Sequence, residues 1–261
     1  MVKTAAATAL LASVSIYAGG QEAADAREGG GPTHLVITYR ATPDKRVAFR
    51  QYMLKTGVQQ FEKYRKDGRM DSYKLLFNRY VDADNWDLLA LLNFKDYAQV
   101  TGWKDVEAEF PGGLTAEGLG LAAPRNTHSM DLVWHGSSPT PGVPGKTVFF
   151  VIPYDYYPTT TPAYSKYVDE YVIPQVKGWV SENVLANYGI YINRYGTSRA
   201  WKSLFILEYR DNPSFGAREA TMDKVRATLQ SNPVWKARSD SKATVRLEKE
   251  TAVADEVLPR P

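Results

Sequence analysis

The sequence predicts an α+β fold in which one βαββαβ unit occurs twice in tandem, and three observations carry that prediction. The string Asn78-Arg79-Tyr80 returns 115 residues later as Asn193-Arg194-Tyr195. Laid on 149–211 without a gap, residues 34–96 share 15 of 63 positions, against about four expected by chance at average composition. Both segments also run through the same order of strand-like and helix-like patterns, which is the signature of a duplicated unit.

The N-terminal segment precedes the repeat. Lys3 is a short positive start, residues 5–18 are apolar, and Ala24-Asp25-Ala26 has the small-x-small form of a cleavage site. Residues 1–26 therefore read as a signal peptide, cut after Ala26 or, second, after Ala18. The expected location is periplasmic or extracellular. The apolar stretch is short for a bilayer span and no later run approaches one, so the mature chain is expected to have no membrane span.

The first unit is placed at 34–135. Residues 34–40 form a short apolar strand ending at a turn with Pro43. Val47, Gln51, Leu54, Val58 and Phe61 then step by four and three, one face of a helix. Two strands, 70–80 and 86–95, make a hairpin. A second helix is expected to be degenerate, because 111–124 carries Pro111-Gly112-Gly113, Gly118 and Gly120. A fourth strand is predicted near 128–135. Residues 136–146 hold three Pro and three Gly and read as a linker.

The second unit, 147–250, repeats this order. A strand over 147–154 ends near Pro158, and Tyr164, Val168 and Tyr171 mark a helix that Pro174 is expected to kink or break. Strands at 186–195 and 200–209 form the hairpin. A helix follows over 214–230, then a fourth strand near 242–249, leaving 251–261 as a C-terminal tail.

The βαββαβ order is that of a ferredoxin-like unit, whose helices cover one face of its sheet. Trp86, Leu88, Ala90, Leu92 and Phe94 are expected on one face of the third strand, with Leu89 and Leu91 on the other. A strand apolar on both faces is buried on both. The helix-free face therefore needs a cover, and the other copy supplies one. In this the chain resembles the dimeric α+β barrel superfamily, in which two such units pack sheet to sheet, sometimes fused in one chain. The resemblance spans about 34–250 and rests on element order and duplication. It implies a pseudo-dimeric α+β barrel, and relatives that include cofactor-free monooxygenases, isomerases, haem-binding enzymes and NIPSNAP-type proteins. Fold alone does not choose among them.

The composition excludes several chemistries. There is no Cys, hence no disulfide, thiol nucleophile or thiolate metal ligand. Without residues 1–26 the chain has 31 basic and 27 acidic side chains and no dense basic run, so nucleic acid is not expected as a partner. No phosphate-loop, dinucleotide, nucleophile-elbow or zincin motif occurs.

What remains are candidates for a small-molecule site. Arg79 and Arg194, beside apolar strand positions, have the fork geometry that binds a carboxylate or enolate. The plainer reading makes each a structural residue, paired with Asp96 or Asp211 or capping its hairpin, and its retention in both copies favours that. Tyr39, Tyr154, Tyr156, Trp86 and Trp201 are candidates for lining a cavity between the sheets. Of the three His, His34 is expected near His135 across paired strands, with His128 at the far end; all three read as solvated strand-end residues rather than metal ligands. The reading is an exported small-molecule-binding protein or cofactor-independent enzyme, of oxygenase or isomerase type, with no bound cofactor or metal. Its partner is a small anionic or aromatic molecule, with self-association open. The alternative is a non-catalytic binding or assembly protein whose barrel is solid core.

Overall fold

The computed structural model describes residues 33–258. The expected signal segment and the last residues of the expected tail lie outside them. Eight antiparallel strands close into a barrel. In the first unit these are β1 (Thr33–Ala41), β2 (Ser72–Asn78), β3 (Leu88–Phe94) and β4 (Ala122–Ser137). In the second they are β5 (Val148–Asp155), β6 (Leu185–Asn193), β7 (Ser203–Tyr209) and β9 (Ala252–Glu256), while the two-residue β8 (Leu247–Glu248) is appended to β5. The order around the ring is β7-β6-β4-β1-β3-β2-β9-β5, and β5 pairs with β7 to complete it. Each unit thus has its fourth, first, third and second strands side by side, the ferredoxin-like order. The two sheets meet at both edges, β4 on β6 and β9 on β2.

Among the described residues seven helices pack outside. α1 covers 46–66 and α4 covers 161–181, each with a π turn at equivalent positions, Met53–Gly57 and Val168–Val172. Pro174 does not break α4. It falls at the first turn after the π turn, where the regular hydrogen-bond ladder is already interrupted. The second helix of the first unit is not degenerate either. α2 (Tyr97–Glu109) is capped by Asp96, whose carboxylate accepts from the Gln99 N–H, and α3 (Ala116–Leu121) follows. In the second unit Asp211 caps α5 (Asn212–Gly216) in the same way, ahead of α6 (Arg218–Leu229) and α7 (Pro233–Val245).

The expected strand at 242–249 is a third correction. α7 runs to Val245, capped at its start by Asn232, and the fourth strand is β9, within the segment read as a tail. The pairings show why. Asp131 faces Ile192 across one seam and Asp255 faces Phe77 across the other. Ile192 and Phe77 are 115 residues apart, whereas Asp255 lies 124 beyond Asp131. The second unit has gained nine residues before its last strand, in the stretch that holds α7.

Three apolar cores result. One lies between each sheet and its helices, and the third fills the barrel, with Val36, Leu91, Met130, Phe149, Val151 and Ile206 at its centre. Leu88, Ala90, Leu92 and Phe94 do face the helices, and Leu89 and Leu91 the barrel. Trp86 breaks the expected alternation. It precedes β3, where the pleat no longer fixes its direction, and packs with the barrel core, as Trp201 does before β7.

Candidate functional site

The barrel is solid in the middle and open at one mouth, where β1 and β5 end and both hairpins turn. A cavity of about 350 Å³ lies there, within the size range of small-molecule pockets. Trp86 and Trp201 both line it, as do the equivalent pairs Leu89 with Leu204 and Thr38 with Pro153. The cavity therefore sits on the pseudo-twofold axis between the units.

One wall has no counterpart. His128, on β4, is buried and stacks on Trp201 with ring centroids 4.0 Å apart. Its Nδ1 lies 2.8 Å from Asn193 Nδ2. The Tyr195 N–H already donates to Asn193 Oδ1, so the amide turns its NH₂ towards the imidazole. His128 Nδ1 is therefore an acceptor, and the neutral ring carries its proton on Nε2. Burial, and secondarily the charge of Arg199, lowers the His128 pKa to about 4, so the ring is neutral at physiological pH. His128 lines the cavity, and Nε2–H is the donor its ring has left. At the 124-residue offset of the fourth strands, the second unit has Ala252 in this place. Arg40, Arg125, Asp84 and Glu250 ring the opening.

The sequence suggests solvated strand-end residues for all three His, and the structure corrects this for His128 and His34. His34 is also buried, edge-on to Tyr191 at 5.3 Å, and burial lowers its pKa to about 4. It faces Met130 rather than His135, because β4 is long and its second half leaves β1 to pair with β6. Only His135 is exposed. No group of three metal-ligating side chains occurs among the described residues.

The other candidates divide. Trp86 and Trp201 share the cavity. Arg79 and Arg194 lie outside it, and each is a seam staple. The Arg79 N–H donates to Val253 O at 2.7 Å and its guanidinium holds Asp255 through Nε and Nη2. Arg194 N–H donates to Ser129 O at 2.9 Å and Nε to Asp131 Oδ1 at 2.6 Å. The staple partners are thus Asp255 and Asp131 of the opposite unit, while Asp96 and Asp211 cap helices. Tyr39 is buried on the helix side, its hydroxyl donating to Gly112 O at 2.5 Å. Tyr154 donates to Glu248 at 3.1 Å beneath Arg246, and Tyr156 stacks on Tyr164 at 4.1 Å. Tyr156 and Arg194 do line a second cavity, of about 440 Å³, on the outer side of the β6–β7 hairpin.

Known structures place this architecture. An anthrone oxidase-like protein superposes with a TM-score of 0.56 at 11% identity, over 89% of this chain and 94% of its own. A provisionally assigned monooxygenase of Fusobacterium nucleatum gives 0.53 at 14% identity, over 88% and 94%. A chlorite dismutase of Candidatus Nitrospira defluvii gives 0.52 at 11%, over 90% and 94%. At these identities the likeness is one of fold, and it defines the class: this chain has the dimeric α+β barrel fold with both units in one chain. No family model matches the sequence, and no curated protein matches it. Among the described residues no helix is long and apolar enough to cross a membrane.

Proposed function

We propose that this chain is an exported protein that binds a small planar molecule at the barrel mouth, between Trp86 and Trp201, through an acceptor oxygen placed on His128 Nε2–H. The observation that carries the reading is His128: buried, neutral, held in one tautomer by Asn193, and absent from the otherwise equivalent second unit. A preset donor in a partly desolvated aromatic site favours an oxygen that gains negative charge, such as a phenolate or enolate. Cofactor-independent chemistry of oxygenase or isomerase type begins from such an oxyanion. The filled centre of the barrel favours a second reading, a non-catalytic binding or assembly protein whose mouth holds a ligand without converting it.

Calorimetric titration with 1-naphthol and with naphthalene tests the binding. 1-Naphthol is expected to bind at least about tenfold more tightly, the worth of one hydrogen bond in a desolvated site. Trp201→Ala and His128→Ala are each expected to weaken it. Equal affinity for both compounds, or indifference to both substitutions, contradicts the proposal. The export half of the reading rests on Lys3, the apolar 5–18 stretch and the site at Ala26. N-terminal sequencing of exported protein is expected to begin at Arg27 or, second, at Gly19, and an intact Met1 would overturn it.

A further inference from the structure

The duplication makes each unit a control for the other. In the first unit Arg46 fills the space beside the β2–β3 hairpin. Its Nε is 2.7 Å from Asp87 Oδ1, and its Nη2 donates to Asn78 O at 2.6 Å and Tyr80 O at 3.3 Å. The guanidinium lies 4.9 Å over the Phe77 ring. These carbonyls need such a donor. The Asp87 N–H, which a regular hairpin would direct at Asn78, goes to Tyr39 O instead.

The second unit repeats the backbone and omits the side chain. The Lys202 N–H goes to Tyr154 O at 2.9 Å, as Asp87 does to Tyr39. The position of Arg46 is Thr161, whose hydroxyl turns away to Pro158 O at 2.7 Å. Asn193 O and Tyr195 O lose the donor that their counterparts have, and the 440 Å³ cavity opens where the arginine would lie.

The charges around this space differ as well. Lys202 stands where the first unit has Asp87, and it pairs with Asp155. Arg79 holds its aspartate through two nitrogens, but Arg194 engages Asp131 through Nε alone among the described residues. The residues that line the cavity thus include Asn193 and Tyr195, whose carbonyls are acceptors, and the cationic donors Lys202 and Arg194. Arg194 and Lys202 balance Asp131 and Asp155, so a ligand of zero net charge leaves the site neutral.

We infer that this cavity is a second binding site, for a small zwitterion of the α-amino-acid type. Its ammonium group bonds to the carbonyls of Asn193 and Tyr195, and its carboxylate to Arg194 and Lys202. Both ends make charge-assisted hydrogen bonds, and neither a simple amine nor a simple acid satisfies both. In the first unit Arg46 serves as a built-in occupant.

The probes are the twenty common L-amino acids, each at about 10 mM, by thermal shift and then calorimetry. At least one is expected to raise Tm and to titrate. Its decarboxylated amine and its deaminated acid are each expected to bind at least about tenfold more weakly. Thr161→Arg, which copies the first unit, is expected to abolish the binding without lowering Tm; should that variant not fold, Thr161→Gln takes its place with the same expectation. Trp201→Ala, at the barrel mouth, is expected to leave amino-acid binding unchanged, so the two sites fail or stand separately. Three results would each overturn the inference: no response to any of the twenty, undiminished binding in the filled variant, or loss of binding in Trp201→Ala.

Discussion

The ion pair that Arg40 and Asp87 form in the first unit returns in the second with its charges exchanged, as Asp155 and Lys202. Both partners changed, so the contact survived while the residues ceased to match. The Arg–Asp staples were kept outright, yet they are not equal. Asp131 is nearly buried, whereas Asp255 is 42% exposed. Arg194→Met is therefore expected to lower stability by about 1.5–3 kcal/mol, the range for a hydrogen bond to a buried charge. Arg79→Met should lower it by less than about 1 kcal/mol, as for a surface pair. Urea melts distinguish them, and equal losses would mean that burial of the aspartate does not set the staple's worth. The buried His make a third residue-scale case. His34 and His128 have pKa values near 4 in the fold, against 6.5 for the ordinary side chain. On acidification the unfolded chain takes up these protons first. Their contribution to stability is full above pH 6.5 and is lost progressively between 6.5 and about 4. His34→Phe, the residue that the second unit has at Phe149, is expected to flatten the fall in urea midpoint between pH 7 and pH 5. An unchanged slope would show His34 charged or solvated in the fold.

At the scale of elements, much of the chain was legible because strands and helices announce themselves by periodicity. The two hairpins, both first strands and α1 lie where the patterns put them, within a few residues. The failures share a cause: local pattern does not report what a neighbouring element supplies. Gly and Pro at 111–124 drew attention from α2, whose signal was the cap at Asp96 just before it. Pro174 reads as a kink or break because the π turn that accommodates it leaves no mark in the sequence. The fourth strand of the second unit was displaced because nine extra residues shifted the repeat after Asp211. The caps give a direct check. Asp96→Ala and Asp211→Ala each remove a side chain that accepts from a first-turn N–H, 2.8 Å for Gln99 and 2.7 Å for Ser214. Each is expected to cost about 1 kcal/mol by chemical denaturation. No loss in either would mean that water replaces the cap without penalty.

For the whole molecule, the two units are not beads on a string, because each lends its fourth strand to the seam with the other. β9 is five residues long, yet it closes the ring between β2 and β5. Deleting 251–261, which looks like a dispensable tail in the sequence, is expected to abolish cooperative unfolding by calorimetry; a sharp transition near the wild-type Tm would refute closure as a condition of folding. The same interdependence hid the site. Trp86 and Trp201 were identifiable as a repeated pair, but His128 was not. Its distinction is that the matching position holds Ala252, and that comparison needs the shifted offset that only the seam pairing reveals. The proposed function places a small molecule at the barrel mouth. Native mass spectrometry of the protein purified from its native host tests this most directly. Wild type is expected to carry a small molecule that His128→Ala and Trp201→Ala both lose and Arg79→Met keeps. A bare wild-type mass, or a bound molecule that survives both mouth substitutions, would contradict it.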